Sequence, residues 1–302
     1  VSDHGERRSG FASTTAGGLR YDLPPLRLFA KAKRLGIWNP DDIDFAQDLR
    51  DWQAMTDDER DLILRLTSLF VGGEESVTLD LLPLIMAVAA EGRVDEEIYL
   101  SSFLWEEAKH VDFFSTFLQR VAPDAGDLHC YHGTSYRRIF YDALPSAMGA
   151  LLSDPSPAAQ ARASATYNMI VEGVLAETGY HGYFEALGRA DLMPGLREGV
   201  GHLKRDEARH LAYGVFLLSR LVAENAELWP VIEARMEELL PVAMGVIEET
   251  LAAYEPIPFG LRPDDFTDFA LLQYQQRITR IERARGQSLA EIYAVADDAE
   301  VE

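Results

Sequence analysis

The chain has 302 residues, 47% of them apolar, which is enough for one large core or two small ones. Its 28 basic and 50 acidic side chains leave a formal net charge of −22, which disfavours nucleic acid and anionic membranes as partners. The single cysteine, Cys130, excludes an intrachain disulfide, and the longest apolar run, Leu81 to Ala90, contains Pro83 and is too short to span a bilayer. With a polar N-terminus that lacks the apolar core of a signal peptide, the expected location is the cytoplasm.

Residues 1–20, rich in Gly, Ser, Thr and charge, predict a disordered tail. Residues 21–302 then form one domain, because no Gly/Ser linker divides them, and the acidic end from Asp297 to Glu302 is expected to fray. At Trp38-Asn39-Pro40-Asp41-Asp42, Asn39 can cap, Pro40 suits the first helical position, and the acids favour a helix N-terminus. Thr56-Asp57-Asp58-Glu59 reads as a capping box and predicts a long helix over about 57–90. Further helices are predicted at about 95–121, 133–152, 157–187, 192–222, 228–254 and 264–284. Ser156-Pro157 opens one of these, Gly188 closes it, and Ser288-Leu289-Ala290-Glu291 caps a short terminal helix. No alternating strand pattern competes, so the fold class is all-α.

Two of these helices carry Glu-x-x-His: Glu107 with His110, and Glu207 with His210. Residues three apart share a helical face, so each pair can grip one ion. One such pair in a Glu-rich chain is unremarkable. Here each is preceded, 33 and 35 residues upstream, by a glutamate in a largely apolar helical stretch, Glu74 and Glu172. Glu, then Glu-x-x-His, occurring twice is the pattern of a ferritin-like four-helix bundle with a dinuclear metal site in its core. Charge supports this. Four buried, unpaired carboxylates would cost several kcal/mol each, and two divalent ions neutralise them if both histidines are neutral. Carboxylate and imidazole ligands suit iron or manganese better than structural zinc.

Other candidates are weaker. His129-Cys130-Tyr131-His132 sits in a predicted loop with no second half. Glu177 and His181 read as an exposed pair or as support behind the ligands. Glu75 and Glu106 adjoin predicted ligands but point to a different face, solvated or supporting. Gly72, Gly73, Gly173, Gly179 and Gly182 lie in predicted helix interiors, where each costs about 1 kcal/mol relative to Ala. A π-bulge, a pocket wall or close helix packing explains them equally well.

Over about residues 25–285 the sequence resembles the ribonucleotide reductase small subunit superfamily, on Trp38-Asn39-Pro40-Asp41-Asp42-Ile43-Asp44 and Arg205-Asp206-Glu207-Ala208-Arg209-His210. Within it the chain looks most like the ligand-binding oxidases with a manganese/iron centre; di-iron is the alternative. Typical radical-storing subunits have a tyrosine four residues after the first motif histidine, where this chain has Phe114. Manganese/iron reductase subunits also have Phe there. The resemblance implies an ether cross-link between Tyr167 and Val77, formed when the centre reacts with oxygen. Val77 shares the Glu74 face, whereas Tyr167, five residues from Glu172, lies off its partner's face in an α-helix. The resemblance also implies that Asp206 hydrogen-bonds a ligand histidine with Trp38 behind it, that a long-chain fatty acid or similar lipid reaches the metals, and that the protein is a homodimer. Three functions follow: an oxygen-activating oxidase, a reductase small subunit serving a larger partner, or a non-catalytic iron-handling protein. The lack of an aromatic residue after Tyr293 counts against the second.

Overall fold

The computed structural model describes residues 10–295. The ends of the predicted tail and of the acidic C-terminus lie outside that range, and the described part of the tail holds a short 3-10 turn at Ala12–Thr14. Among the described residues there is no strand, and no helix is long and apolar enough to cross a membrane.

Two helices absent from the predicted set come first, α1 (Pro24–Leu35) and α2 (Ala46–Ala54). Between them the Trp38–Asp42 signal yields one 3-10 turn, Pro40–Asp42, with Asn39 accepting from the Asp41 N–H. The Thr56/Glu59 capping box opens α3 (Asp57–Asp80). The predicted 57–90 helix is in fact two, because Pro83 lies within the first two positions of α4 (Leu82–Ala90), where its missing N–H and fixed φ are tolerated. Next come α5 (Val94–Val121), then α6 (Thr134–Arg137) and α7 (Leu144–Ala150), which are joined by π-helical Arg138–Ala143. The predicted 157–187 helix is α8 (Pro157–Ser164), capped by Ser156, then a π segment Ala165–Ala176, α9 (Glu177–Tyr183) and a π turn ending at Gly188. The chain finishes with α10 (Pro194–Glu224), α11 (Trp229–Leu251), α12 (Pro263–Arg283) and α13 (Leu289–Val295).

The central bundle is α3, α5, the π segment and α10, with α3 against α5 and α10 against both α5 and the π segment. The other helices enclose it. The buried acids of α2 cap the start of α10: Asp48 accepts from the N–H groups of Gly195 and Leu196 at 2.8 and 2.7 Å, and Asp51 from Met193 at 2.7 Å. These orphan donors would otherwise be buried unpaired.

Several glycines permit close approaches, and one of them lies between two helices of the central bundle. A methyl group on Gly214 of α10 would fall on the Asn168 side chain of the π segment. Gly214→Ala gains about 1 kcal/mol of helix propensity, but overpacking a filled core costs about 1–3 kcal/mol and acts on a site that cannot yield. Urea denaturation should therefore show a net loss of stability for Gly214→Ala.

Candidate metal centre

The six predicted ligands converge from the four central helices. Glu74, Glu107, His110 and Glu207 offer ligand atoms within 4.8 Å of one another, and so do Glu107, Glu172, Glu207 and His210. The two groups share Glu107 and Glu207, one from each Glu-x-x-His helix. Such an overlap would suit two neighbouring ions, with Glu107 and Glu207 available to both and one histidine and one further glutamate available to each.

The chemistry of the donors fits two cations. All six side chains are buried. Nδ1 of both histidines, Oε2 of Glu107 and Glu207, and Oε1 of Glu172 have no hydrogen-bond partner. His110 Nδ1 lies 3.4 Å from Glu74, 3.5 Å from Glu107 and 3.3 Å from Glu207. Such spacings match neighbouring ligands on one ion, where bonds of about 2.0–2.2 Å put adjacent donors about 3–3.5 Å apart. Protonation in the protein alone shows the same strain. Burial pushes Glu74 and Glu172 well above the carboxylate range. Burial should lower His110 and His210, yet the surrounding carboxylates raise both well above the usual imidazole value. For Glu107, burial is outweighed by His210 and His110, which hold it below the usual range. Protons here occupy the place of cations, and metal binding would displace them.

Each histidine is aimed by an acid from the opposite motif. His110 Nε2 meets Asp206 Oδ2 at 3.3 Å, and His210 Nε2 meets Glu106 Oε2 at 2.9 Å. A proton on each Nε2 leaves the Nδ1 lone pair facing inward. Arg209 joins both braces, donating to Glu106 at 2.5 Å and to Asp206 at 2.6 Å. Asp206 also accepts from Trp38 Nε1 at 2.8 Å and pairs with Lys109 at 3.0 Å. Burial would raise Asp206, but His110, Lys109 and Arg209 outweigh it and keep the group ionised. Glu106 thus belongs to the site, buried and paired, whereas Glu75 is solvent-exposed. Spacing could have found Glu106, because acid-Glu-Ala-base-His occurs in both motifs, as Glu106-Glu107-Ala108-Lys109-His110 and Asp206-Glu207-Ala208-Arg209-His210. Asn168, which donates to Glu172 at 2.9 Å, carried no such signal.

The π segment accounts for Tyr167. In i→i+5 bonding, residues five apart point in much closer directions than in an α-helix, so Tyr167 and Glu172 share a face that α geometry would deny them. The Tyr167 hydroxyl donates to Glu107 Oε1 at 3.1 Å. Burial and the charges of Glu107 and Glu172 raise its pKa well above normal, so it stays a phenol. Phe114 is buried and stacks on Phe70 at 5.3 Å. Val77, one turn from Glu74, lines an apolar cavity whose walls also include Glu74, Glu107, Glu172 and Glu207. Gly73, Gly179 and Gly182 line it too. Gly72 does not, because a methyl there would meet the Tyr136 hydroxyl at 2.6 Å, so its role is close packing.

The remaining candidates stand apart. Glu177 is buried, which corrects its reading as exposed, and His181 stacks on Phe269 at 4.4 Å. His129 and His132 lie 3.0 and 2.8 Å from the Tyr141 hydroxyl, and Cys130 is exposed.

The family described as ribonucleotide reductase, small chain, matches residues 26–270. Among solved structures, an R2-like ligand-binding oxidase with an aerobically reconstituted Mn/Fe cofactor is 37% identical, with a TM-score of 0.87 over 92% of this chain and 99% of its own. A tyrosine-to-phenylalanine variant so named is 37% identical with a TM-score of 0.88, over 92% of this chain and 100% of its own. A valine-to-leucine variant is 38% identical with a TM-score of 0.86 and the same coverage.

The shared and unshared donors make distinct predictions. After anaerobic loading, elemental analysis of Glu74→Ala should find one ion per chain retained at the Glu172/His210 side, and Glu107→Ala should retain neither. Two ions in Glu74→Ala would refute the division. Glu106→Ala should weaken metal binding by about 10–100-fold in a competitive chelator titration, the usual cost of losing an acid behind a ligand histidine.

Proposed function

The chain belongs to the ribonucleotide reductase small-chain family, in its ligand-binding oxidase branch, and on that premise we propose that it is an oxygen-activating oxidase with one manganese and one iron ion. Its ligand is a long-chain fatty acid or a similar lipid. The observation that carries this reading is the apolar cavity whose walls include the four metal-facing carboxylates. Its only charged lining residues are those four carboxylates, so an apolar chain would meet apolar wall and a carboxylate head would meet cations.

Glu74, Glu107, His110, Glu172, Glu207 and His210 would hold the ions. When bound, they supply redox equivalents and Lewis acidity for reaction with dioxygen. The protein's own residues set the conditions. Glu106 and Asp206 fix the imidazoles. The apolar wall excludes water, which protects a strongly oxidising site from side reactions. Phe114 places a ring without a hydroxyl where a phenol would store a radical, so oxidising power is directed at a bound molecule or at the protein. In the second case the Tyr167 O–H and the Val77 Cβ–H are lost and an O–Cβ ether bond forms. The two electrons and two protons released are taken up by dioxygen. A homodimer of such chains is part of the same reading.

Loading metal-free protein with manganese and iron without oxygen, then admitting air, should produce a linked peptide pair containing Val77 and Tyr167, lighter by two hydrogens. Tyr167→Phe should give none, and two unmodified peptides in the unaltered protein would sink the cross-link. Solvent extraction of the purified protein should release a fatty acid, and Gly182→Leu, which fills the cavity, should reduce the amount recovered.

A further inference from the structure

Electron counting poses a problem that the metal site alone does not solve. Dioxygen takes up four electrons on the way to water. A two-electron oxidation supplies half, and the metal ions supply the rest only once before they must be re-reduced. All six ligands are buried, so no external reductant touches them.

An aromatic series runs from His210 to the surface. The Phe103 ring sits edge-on to His210 at 3.7 Å and is also 5.9 Å from Tyr167. Tyr99 follows at 6.0 Å, one turn along α5, and Tyr213 of α10 lies 5.2 Å beyond it. Phe216 is next at 6.2 Å, and Tyr293 of α13, which is partly exposed, at 6.1 Å. The two central tyrosines differ in one respect. The Tyr99 hydroxyl is buried with no partner, so its proton has nowhere to go. The Tyr213 hydroxyl donates to Glu96 at 3.0 Å, and that buried carboxylate is held by Arg220 at 3.4 Å and Arg93 at 3.7 Å.

We propose that this series is an electron relay, in which Tyr213 is the oxidisable station, Glu96 its proton acceptor and Tyr99 the bridge towards the metal centre. The proposal rests on the oxidase reading for its oxidant, the oxygen-oxidised centre. Tyr213 gives one electron through Tyr99 and Phe103 to that centre and its phenolic proton to Glu96, becoming a neutral tyrosyl radical. An external one-electron reductant returns the electron through Tyr293 and Phe216, and Glu96 returns the proton. Phenol oxidation at accessible potential requires a base in hydrogen-bond reach, which Tyr213 has and Tyr99 lacks.

Two arms test it. In the first, protein loaded with manganese and iron is given oxygen without reductant, frozen and examined by electron paramagnetic resonance. Uptake of oxygen by the metals is followed separately by their visible absorption. A tyrosyl signal is expected that is narrowed by ring-deuterated tyrosine, lost in Tyr213→Phe and weakened in Glu96→Gln, with two metals per chain in each variant. In the second arm, a ruthenium photo-oxidant is tethered to Ala294→Cys in metal-free Cys130→Ser protein. A flash should place the radical on Tyr213, with transient absorption lost in Tyr213→Phe. An unchanged tyrosyl signal in Tyr213→Phe, or a tryptophan radical instead, overturns the relay. So does metal oxidation without any tyrosyl radical. If the metals do not react with oxygen, the oxidase reading fails and the photochemical arm alone decides the relay.

Discussion

Four carboxylates brought together in a dry bundle core are the constraint on which the structure turns. Each would cost several kcal/mol if left ionised and unpaired. The protein answers at two levels. Towards the centre, it leaves donor atoms without partners and raises the proton affinity of its histidines. Away from the centre, two buried basic residues neutralise the acids behind those histidines, Arg209 both of them and Lys109 Asp206. The inner face is electron-rich and open to cations, and the outer face is closed by ion pairs.

The cross-bracing ties metal geometry to helix packing. Glu106 lies on α5 and holds a histidine of α10, and Asp206 on α10 holds a histidine of α5. A shift of either helix would misaim both imidazoles at once. The caps that α2 provides fix α10 from outside the bundle, and the close approach of Gly214 to Asn168 fixes it against the π segment within. Stability and site geometry here are one problem.

The π segment gives the site its asymmetry. It turns a single helical face so that Tyr167, Asn168 and Glu172 all reach the centre, and it bounds the apolar cavity through Val171 and Leu175. A regular α-helix would supply the glutamate and direct the tyrosine elsewhere. The π segment thus supplies both the phenol beside Glu107 and part of the cavity wall.

The helical class, most helix limits and the six convergent donors were legible in the chain alone, because these depend on local periodicity, capping and the spacing of chemically matched residues. Thr56/Glu59 and Ser156 act over single turns, and Glu-x-x-His acts over one. Helices α1 and α2 escaped, since their stability comes from faces buried against α5 and α10. Tertiary structure decided the rest. Glu106 and Glu75 are both acids beside ligands, but the packing of α5 on α10 buries the first, whereas the second lies on α3 and faces water. The alignment of Tyr167 with Glu172 depends on π hydrogen bonding, and the function of each glycine on which side chain faces it. Those are properties of neighbours distant in the chain, and short-range spacing does not encode them.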